Sequence, residues 1–135
     1  MVNNQKILLK FIRINKNVDL DYIIYNYKLS VNFIRKFQNN IDWAFIPIEN
    51  LSENLIREFK DKVNWYYISA YKKLSENFIR EFQDKVNWYW ISEYQTLSES
   101  FIIEFQNKVN WRYILNYQKL SEDFKKEFKY KLNGK

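Results

Sequence analysis

Apolar and polar residues follow one another along most of this chain with helical spacing. Between Leu74 and Thr96, Phe78, Ile79 and Phe82 fall at i, i+1 and i+4, the pattern of one helix face. Ser75 stands just before that run, where a hydroxyl can accept from an orphan amide at a helix start. Glu76 follows in the first turn, where negative charge suits the helix dipole. The spacing predicts a helix from about Glu76 to Asp84. Val86 is apolar again, and Asn87 is placed to cap a second helix over about Trp88 to Gln95, with Trp88, Ile91 and Tyr94 recurring at three-residue spacing.

The same pattern returns along the chain. Copies start at Leu51, Leu74, Leu97 and Leu120, a period of 23 residues, and an earlier copy starts at Leu29 and runs one residue short near Pro47. Upstream, Val18-Asp19-Leu20 stands in for Val-Asn-Trp and Ile23 for the recurring Ile, while Phe11-Ile12-Arg13 is similar to Phe33-Ile34-Arg35. The expected organisation is one helical-repeat domain over residues 1–135: a degenerate repeat at 1–28, repeats from 29, 51, 74 and 97, and a C-terminal cap at 120–135. Helices of about eight residues are not stable alone in water. Neighbouring units must cover their apolar faces, so the expected fold is all-α, a short solenoid of about five and a half helix-turn-helix repeats.

Five core ladders follow. They are Leu51/Leu74/Leu97/Leu120, Phe37/Phe59/Phe82/Phe105/Phe128, Trp43/Trp65/Trp88/Trp111, Ile46/Ile68/Ile91/Ile114 and Ile41/Val63/Val86/Val109/Leu132. Lys125 replaces the Ile of the inner repeats (Ile56, Ile79, Ile102), as a solvated capping helix requires, and Asn133-Gly134-Lys135 reads as a helix stop.

The motif LSExFIxEFxxKVNWxxISxYQ resembles tandem repeats in largely uncharacterised proteins of AT-rich bacteria, their phages and giant viruses. The resemblance covers about residues 18 to 132. It implies a helical solenoid and carries no catalytic chemistry.

Composition narrows the functions. Aromatic residues make up 20% of 135 residues, so there is ample surface that gains from burial, which argues against disorder. One Gly and one Pro are too few for a hairpin-rich β fold. Cys and His are absent, which removes disulfides, the common zinc sites and every catalytic device built on either residue. With one Gly there is no Gly-rich phosphate loop. Carboxylate pairs recur in every repeat, and identical rows lack the asymmetry that sets an acid apart from a base. Ser52, Ser75, Ser98 and Ser121 read as helix caps. No catalytic residue, metal or cofactor is therefore expected. No apolar run is long enough to span a membrane. Lys6 to Ile14 lacks the apolar core of a signal peptide, which places the protein in the cytoplasm.

The net charge of +6 invites a nucleic-acid reading. Its spacing weakens that. Glu53/Arg57, Glu76/Arg80, Glu58/Lys62, Glu81/Lys85, Glu104/Lys108 and Glu127/Lys131 are i,i+4 pairs in the favourable order. The cations left over are Lys28, Lys72, Lys73 and Lys119 before repeat boundaries, Lys125, Lys126, Lys129 and Lys135 at the C-terminus, and Lys6, Lys10, Arg13 and Lys16 near the N-terminus.

Two positions after each Trp vary: Ala44-Phe45, Tyr66-Tyr67, Tyr89-Trp90 and Arg112-Tyr113. The first of each pair switches between Ala, Tyr and Arg, a range no core position tolerates. Tyr66, Tyr89 and Arg112 are expected outside, and Tyr67, Trp90 and Tyr113 between neighbouring units. Rows of Tyr and Arg suit a protein-binding surface. The leading expectation is a monomeric, non-enzymatic scaffold that docks on a protein. One form of it is a phage- or virus-encoded inhibitor of a host defence complex. The alternative binds nucleic acid, directly or within a ribonucleoprotein, through Lys28, Lys72, Lys73, Lys119, Lys125, Lys126 and the Tyr positions.

Overall fold

The computed structural model describes residues 6–10, 12, 15 and 17–133. The protein is an all-α helical repeat, and no strand occurs among the described residues. None of its helices is long and apolar enough to cross a membrane, again among those residues. The chain falls into two compact units, Met1–Val63 and Asn64–Lys135.

The first unit carries α1 (Leu20–Asn26), α2 (Val31–Phe37), two 3-10 turns (Trp43–Phe45 and Ile48–Asn50) and α3 (Glu53–Glu58). Asp19 caps α1 through the Tyr22 N–H, and Ser30 caps α2 through the Phe33 N–H. The repeat from Leu29 departs from the expected pair of helices. Asp42 caps its second segment, but a 3-10 turn forms there in place of an α-helix. Pro47 has no N–H to return to the Trp43 carbonyl, and its ring clashes with a carbonyl one turn back. The Ile46 N–H closes on Trp43 instead, at 3.4 Å. Phe33, Ile34, Ile41 and Ile46 are buried around this turn with Leu51, Leu55, Ile56 and Phe59.

The second unit holds α4 (Trp65–Tyr71), α5 (Glu76–Glu81), α6 (Trp88–Tyr94), α7 (Glu99–Glu104), α8 (Trp111–Tyr117), α9 (Glu122–Phe128) and α10 (Tyr130–Asn133). Ser75, Ser98 and Ser121 cap α5, α7 and α9, each accepting from the N–H three residues on. Asn64, Asn87 and Asn110 cap α4, α6 and α8. Such a cap is worth about 1 kcal/mol, a large share for so short a helix.

α5 stops at Glu81, three residues before the expected end. Phe82 leaves helical geometry at φ −111, ψ 29. Its carbonyl then accepts from both Lys85 and Val86, at 2.9 and 3.0 Å, and this tight turn carries Val86 into the core. No described residue has a positive φ, so the turns among them run without left-handed backbone. That is why a chain with so little glycine makes them.

The Ile ladder is buried throughout, at 0–3% exposure, whereas Phe37, Val63 and Leu120 are only half-buried. The Leu132 rung lies outside the described side chains, as do Phe11, Arg13, Lys16, Gly134 and Lys135. The tryptophans correct the sequence reading, because all four are half-buried. In the second unit each lies on the Phe pair of the next repeat: Trp65 on Phe78 and Phe82, Trp88 on Phe101 and Phe105, Trp111 on Phe124 and Phe128, with ring centroids 5.0–6.3 Å apart. The indole N–H donates to a carbonyl five residues back, from Trp88 to Gln83 and from Trp111 to Gln106, at 2.9 Å in both cases. Lys125 on α9 is exposed, as a capping helix requires, and pairs with Glu122.

Candidate functional site

Helices α4, α6 and α8 lie side by side, α4 against α6 and α6 against α8. Two polar ladders hold them in register. Ser69 donates to Trp65 O one turn back and accepts the Asn87 N–H at 2.9 Å, so the serine of one helix fastens the start of the next. Ser92 repeats this with Trp88 O and the Asn110 N–H. Gln95, 4% exposed, donates to Ser69 O and Lys72 O and accepts the Leu74 N–H at 2.9 Å. Gln118 does the same with Ser92 O, Gln95 O and the Leu97 N–H. Polar groups withdrawn from water in this way must be satisfied, and here both amide hydrogens and the carbonyl oxygen of each glutamine are engaged.

Charged groups add outer rungs. Glu76 accepts the Ser98 N–H at 2.6 Å. Arg80 and Lys108, which the spacing pairs with Glu76 and Glu104 in their own helices, instead reach across repeats to Glu104 and Asp84, at 2.8 and 3.0 Å. The stack brings equivalent turns together, and the backbone amide already holds Glu76. In the first unit Arg35 grips Glu58 through Nε and Nη2, which holds that carboxyl below its ordinary range. Exposed pairs like these are screened by solvent and add little to stability. They account for charge without calling on a ligand.

With the three helices fixed, their outer faces form one aromatic sheet of rings. Tyr66, Tyr67, Tyr89 and Arg112 are exposed, while Trp90 and Tyr113 are half-buried. Tyr67 departs from the inward placement expected for its position, at 40% exposure. Its neighbour ring is Tyr71, at 4.9 Å on the same helix, and not a side chain of the next unit. Tyr94, grouped in the sequence with Trp88 and Ile91 on one helix face, is 53% exposed. Six residues on, an α-helix has turned by about 240°, which carries Tyr94 off the buried face. Tyr71 and Tyr117 occupy the same position and are exposed too.

The rings engage one another across the helices. Tyr66 meets Trp90 edge-on at 5.2 Å, and Tyr89 meets Tyr113 at 4.5 Å with their hydroxyls hydrogen-bonded. Tyr89 also stands at 88° to Trp90, and Trp90 stacks on Tyr94 at 5.5 Å. The buried Trp90 indole N–H has no acceptor, so ring contacts hold this side chain. Edge-on and offset contacts of this type add about 0.5–1.5 kcal/mol beyond burial.

The Tyr113 phenol is pushed up to about 12, first by the hydrogen bond with Tyr89, then by burial and by the nearby Tyr89, Glu93 and Tyr117. Burial, then the Glu93 carboxylate, raises the Tyr94 phenol as well. A raised phenol favours the folded state fully below its unfolded value of about 10, and that contribution is lost as pH climbs towards the folded value. Tyr113→Phe should therefore flatten the alkaline fall in stability between about pH 10 and 12. Urea midpoints of both proteins against pH check this, and parallel curves would refute it.

The lysines of the nucleic-acid alternative are not gathered on this face. Lys73 and Lys119 are exposed just beyond α4 and α8, Lys28 is exposed in the first unit, and Lys125 and Lys126 lie on α9. Lys72 is half-buried, with its carbonyl taken by Gln95. Among the described residues, no group of three or more acidic side chains is arranged to hold a metal ion.

No family model matches this chain, and neither the curated proteins nor the solved structures include a match. The residues that organise the face, Ser69, Ser92, Gln95 and Gln118, escaped the sequence reading. The available signal was the return of Ser at 69 and 92 and of Gln at 95 and 118, polar residues one 23-residue period apart among apolar ones.

Proposed function

We propose that the chain is a monomeric, non-enzymatic binding scaffold that acts in the cytoplasm and docks on a protein partner through the outer faces of α4, α6 and α8. Tyr66, Tyr67, Tyr89, Trp90, Arg112 and Tyr113 are the contact residues. One observation carries the reading: a continuous set of exposed Tyr rings with Trp and Arg, held rigid by buried Ser and Gln ladders. Tyr, Trp and Arg dominate the energetics of protein interfaces. Rigid rings lose little conformational entropy on docking. The repeat resemblance extends this to a phage- or virus-encoded inhibitor that works by occluding a host defence complex.

The test is affinity purification from host lysate, with and without nuclease, using wild type and a Tyr66→Ala/Tyr89→Ala/Arg112→Ala variant. A protein partner should be recovered by wild type, survive nuclease and be lost with the variant. Nucleic acid retained at low salt and released as salt rises, with no protein surviving nuclease, would favour the lysine-based alternative and overturn the proposal.

A further inference from the structure

One arrangement recurs where repeats join: a cation over an aromatic ring with a carboxylate beside it. The Arg80 guanidinium lies 5.1 Å from the centre of Phe101 while pairing with Glu104. Lys108 lies 5.9 Å from Trp88 while pairing with Asp84. On the outer face of α6, ring and carboxylate occur together again. Glu93 follows Tyr89 by one helical turn, which places the two on the same side of α6. Its charge acts on Tyr94 and Tyr113. Trp90 stacks on Tyr94, and Tyr89 stands edge-on to Trp90 and against Tyr113. Among the described residues, no cation of this chain pairs with Glu93 or lies over these four rings.

The equivalent positions on α4 and α8 are Ala70 and Asn116, so this carboxylate occurs once on the whole face. Arg112 is exposed on α8 and likewise makes no ion pair among the described residues. The face thus offers one anion among π faces and one guanidinium on the neighbouring helix.

We propose that the ring cluster of Tyr89, Trp90, Tyr94 and Tyr113 around Glu93 receives an arginine side chain of the protein partner, with Arg112 pairing to an acidic residue beside it. This rests on the docking reading above. A guanidinium fits better than an ammonium because it is planar, stacks on aromatic faces and can pair with a carboxylate through two N–H groups. A phosphodiester at the same spot would meet the Glu93 charge with no ring face to neutralise it. The carboxylate therefore selects for a basic protein surface and against nucleic acid.

The experiment titrates the full chain with three probes: N-acetyl-arginine amide, its neutral isostere N-acetyl-citrulline amide, and oligothymidylate. Ring resonances of Tyr89, Trp90, Tyr94 and Tyr113 are followed by NMR. The arginine probe should shift them saturably and bind about tenfold more tightly than citrulline. Glu93→Gln, an isosteric change at a half-buried side chain, should fold normally and abolish that preference. Equal response to arginine and citrulline, or an arginine preference that survives Glu93→Gln, overturns the proposal. Oligothymidylate that moves the same rings, and binds more tightly once Glu93 is neutralised, overturns it and the docking reading together. Loss of the arginine preference alone, with the protein partner still lost from the Tyr66/Tyr89/Arg112 variant, removes only the arginine assignment.

Discussion

Phe101→Ala is expected to destabilise the protein by about 3–5 kcal/mol, the range for emptying a buried Phe site. The ring is fully buried on α7. Trp88 stacks on it from the preceding repeat, Phe105 packs 4.7 Å away, and the Arg80 guanidinium covers it from above. Truncation removes the transfer free energy of the ring and leaves a cavity that these three fixed neighbours cannot close. It also strips the ion pair of the surface over which Arg80 is held. The urea midpoint should fall with little change in slope. Phe45→Ala is the contrast, since that ring is 47% exposed and its removal should stay within about 0.5 kcal/mol. A Phe101 loss below about 1 kcal/mol would mean that the repeats do not depend on this contact.

Gln95→Leu should cost nearly as much, about 2–4 kcal/mol, although Leu is the more apolar residue. Three backbone groups would lose their partner: the Leu74 N–H, Ser69 O and Lys72 O. Each buried group left unsatisfied costs about 1–3 kcal/mol, and the added hydrophobic burial offsets part of the total. Gln95→Glu sharpens the point. A carboxylate still accepts from Leu74 but faces two carbonyl oxygens, so its folded pKa should lie above the unfolded value. Its stability is then greatest at acid pH and falls as pH rises through the folded value. Chemical denaturation of both variants at pH 4 and pH 7 measures this. A Gln95→Leu protein as stable as wild type would show that the amide ladder is dispensable.

Much of this architecture could be read directly from residue spacing. The caps Ser75 and Asn87 stand at chemically obligatory places, and the Ile ladder is buried because the 23-residue period returns each Ile to one side. What spacing conceals is how adjacent repeats meet. Arg80 and Glu76 look like an intrahelical pair until the next repeat supplies Glu104 to one and the Ser98 amide to the other. Gln95 looks like a surface residue at a helix end, because nothing local reveals that three backbone groups converge on it. Tyr94 went astray through counting in threes, when 3.6 residues per turn had already carried it to the outer side. For the candidate face, variability did pick out Tyr66, Tyr89 and Arg112. It passed over Tyr71, Tyr94 and Tyr117, whose sameness reads as core, and Glu93, whose significance lies in the rings around it.

The Gln and Ser ladders also bear on how such a chain gains or loses length. In the second unit, the ladder bonds that link one segment to another join residues 18 to 26 positions apart, and the same atoms recur one repeat later. A recombination event that copies a whole unit would hand each glutamine a fresh set of carbonyls and leave none stranded. Loss of a single codon within a unit would break the phase of every later bond to the units before it. Selection acting through these ladders thus tolerates change in copy number and punishes change in phase. A tract of near-identical 23-residue copies is the genetic trace such a rule would leave.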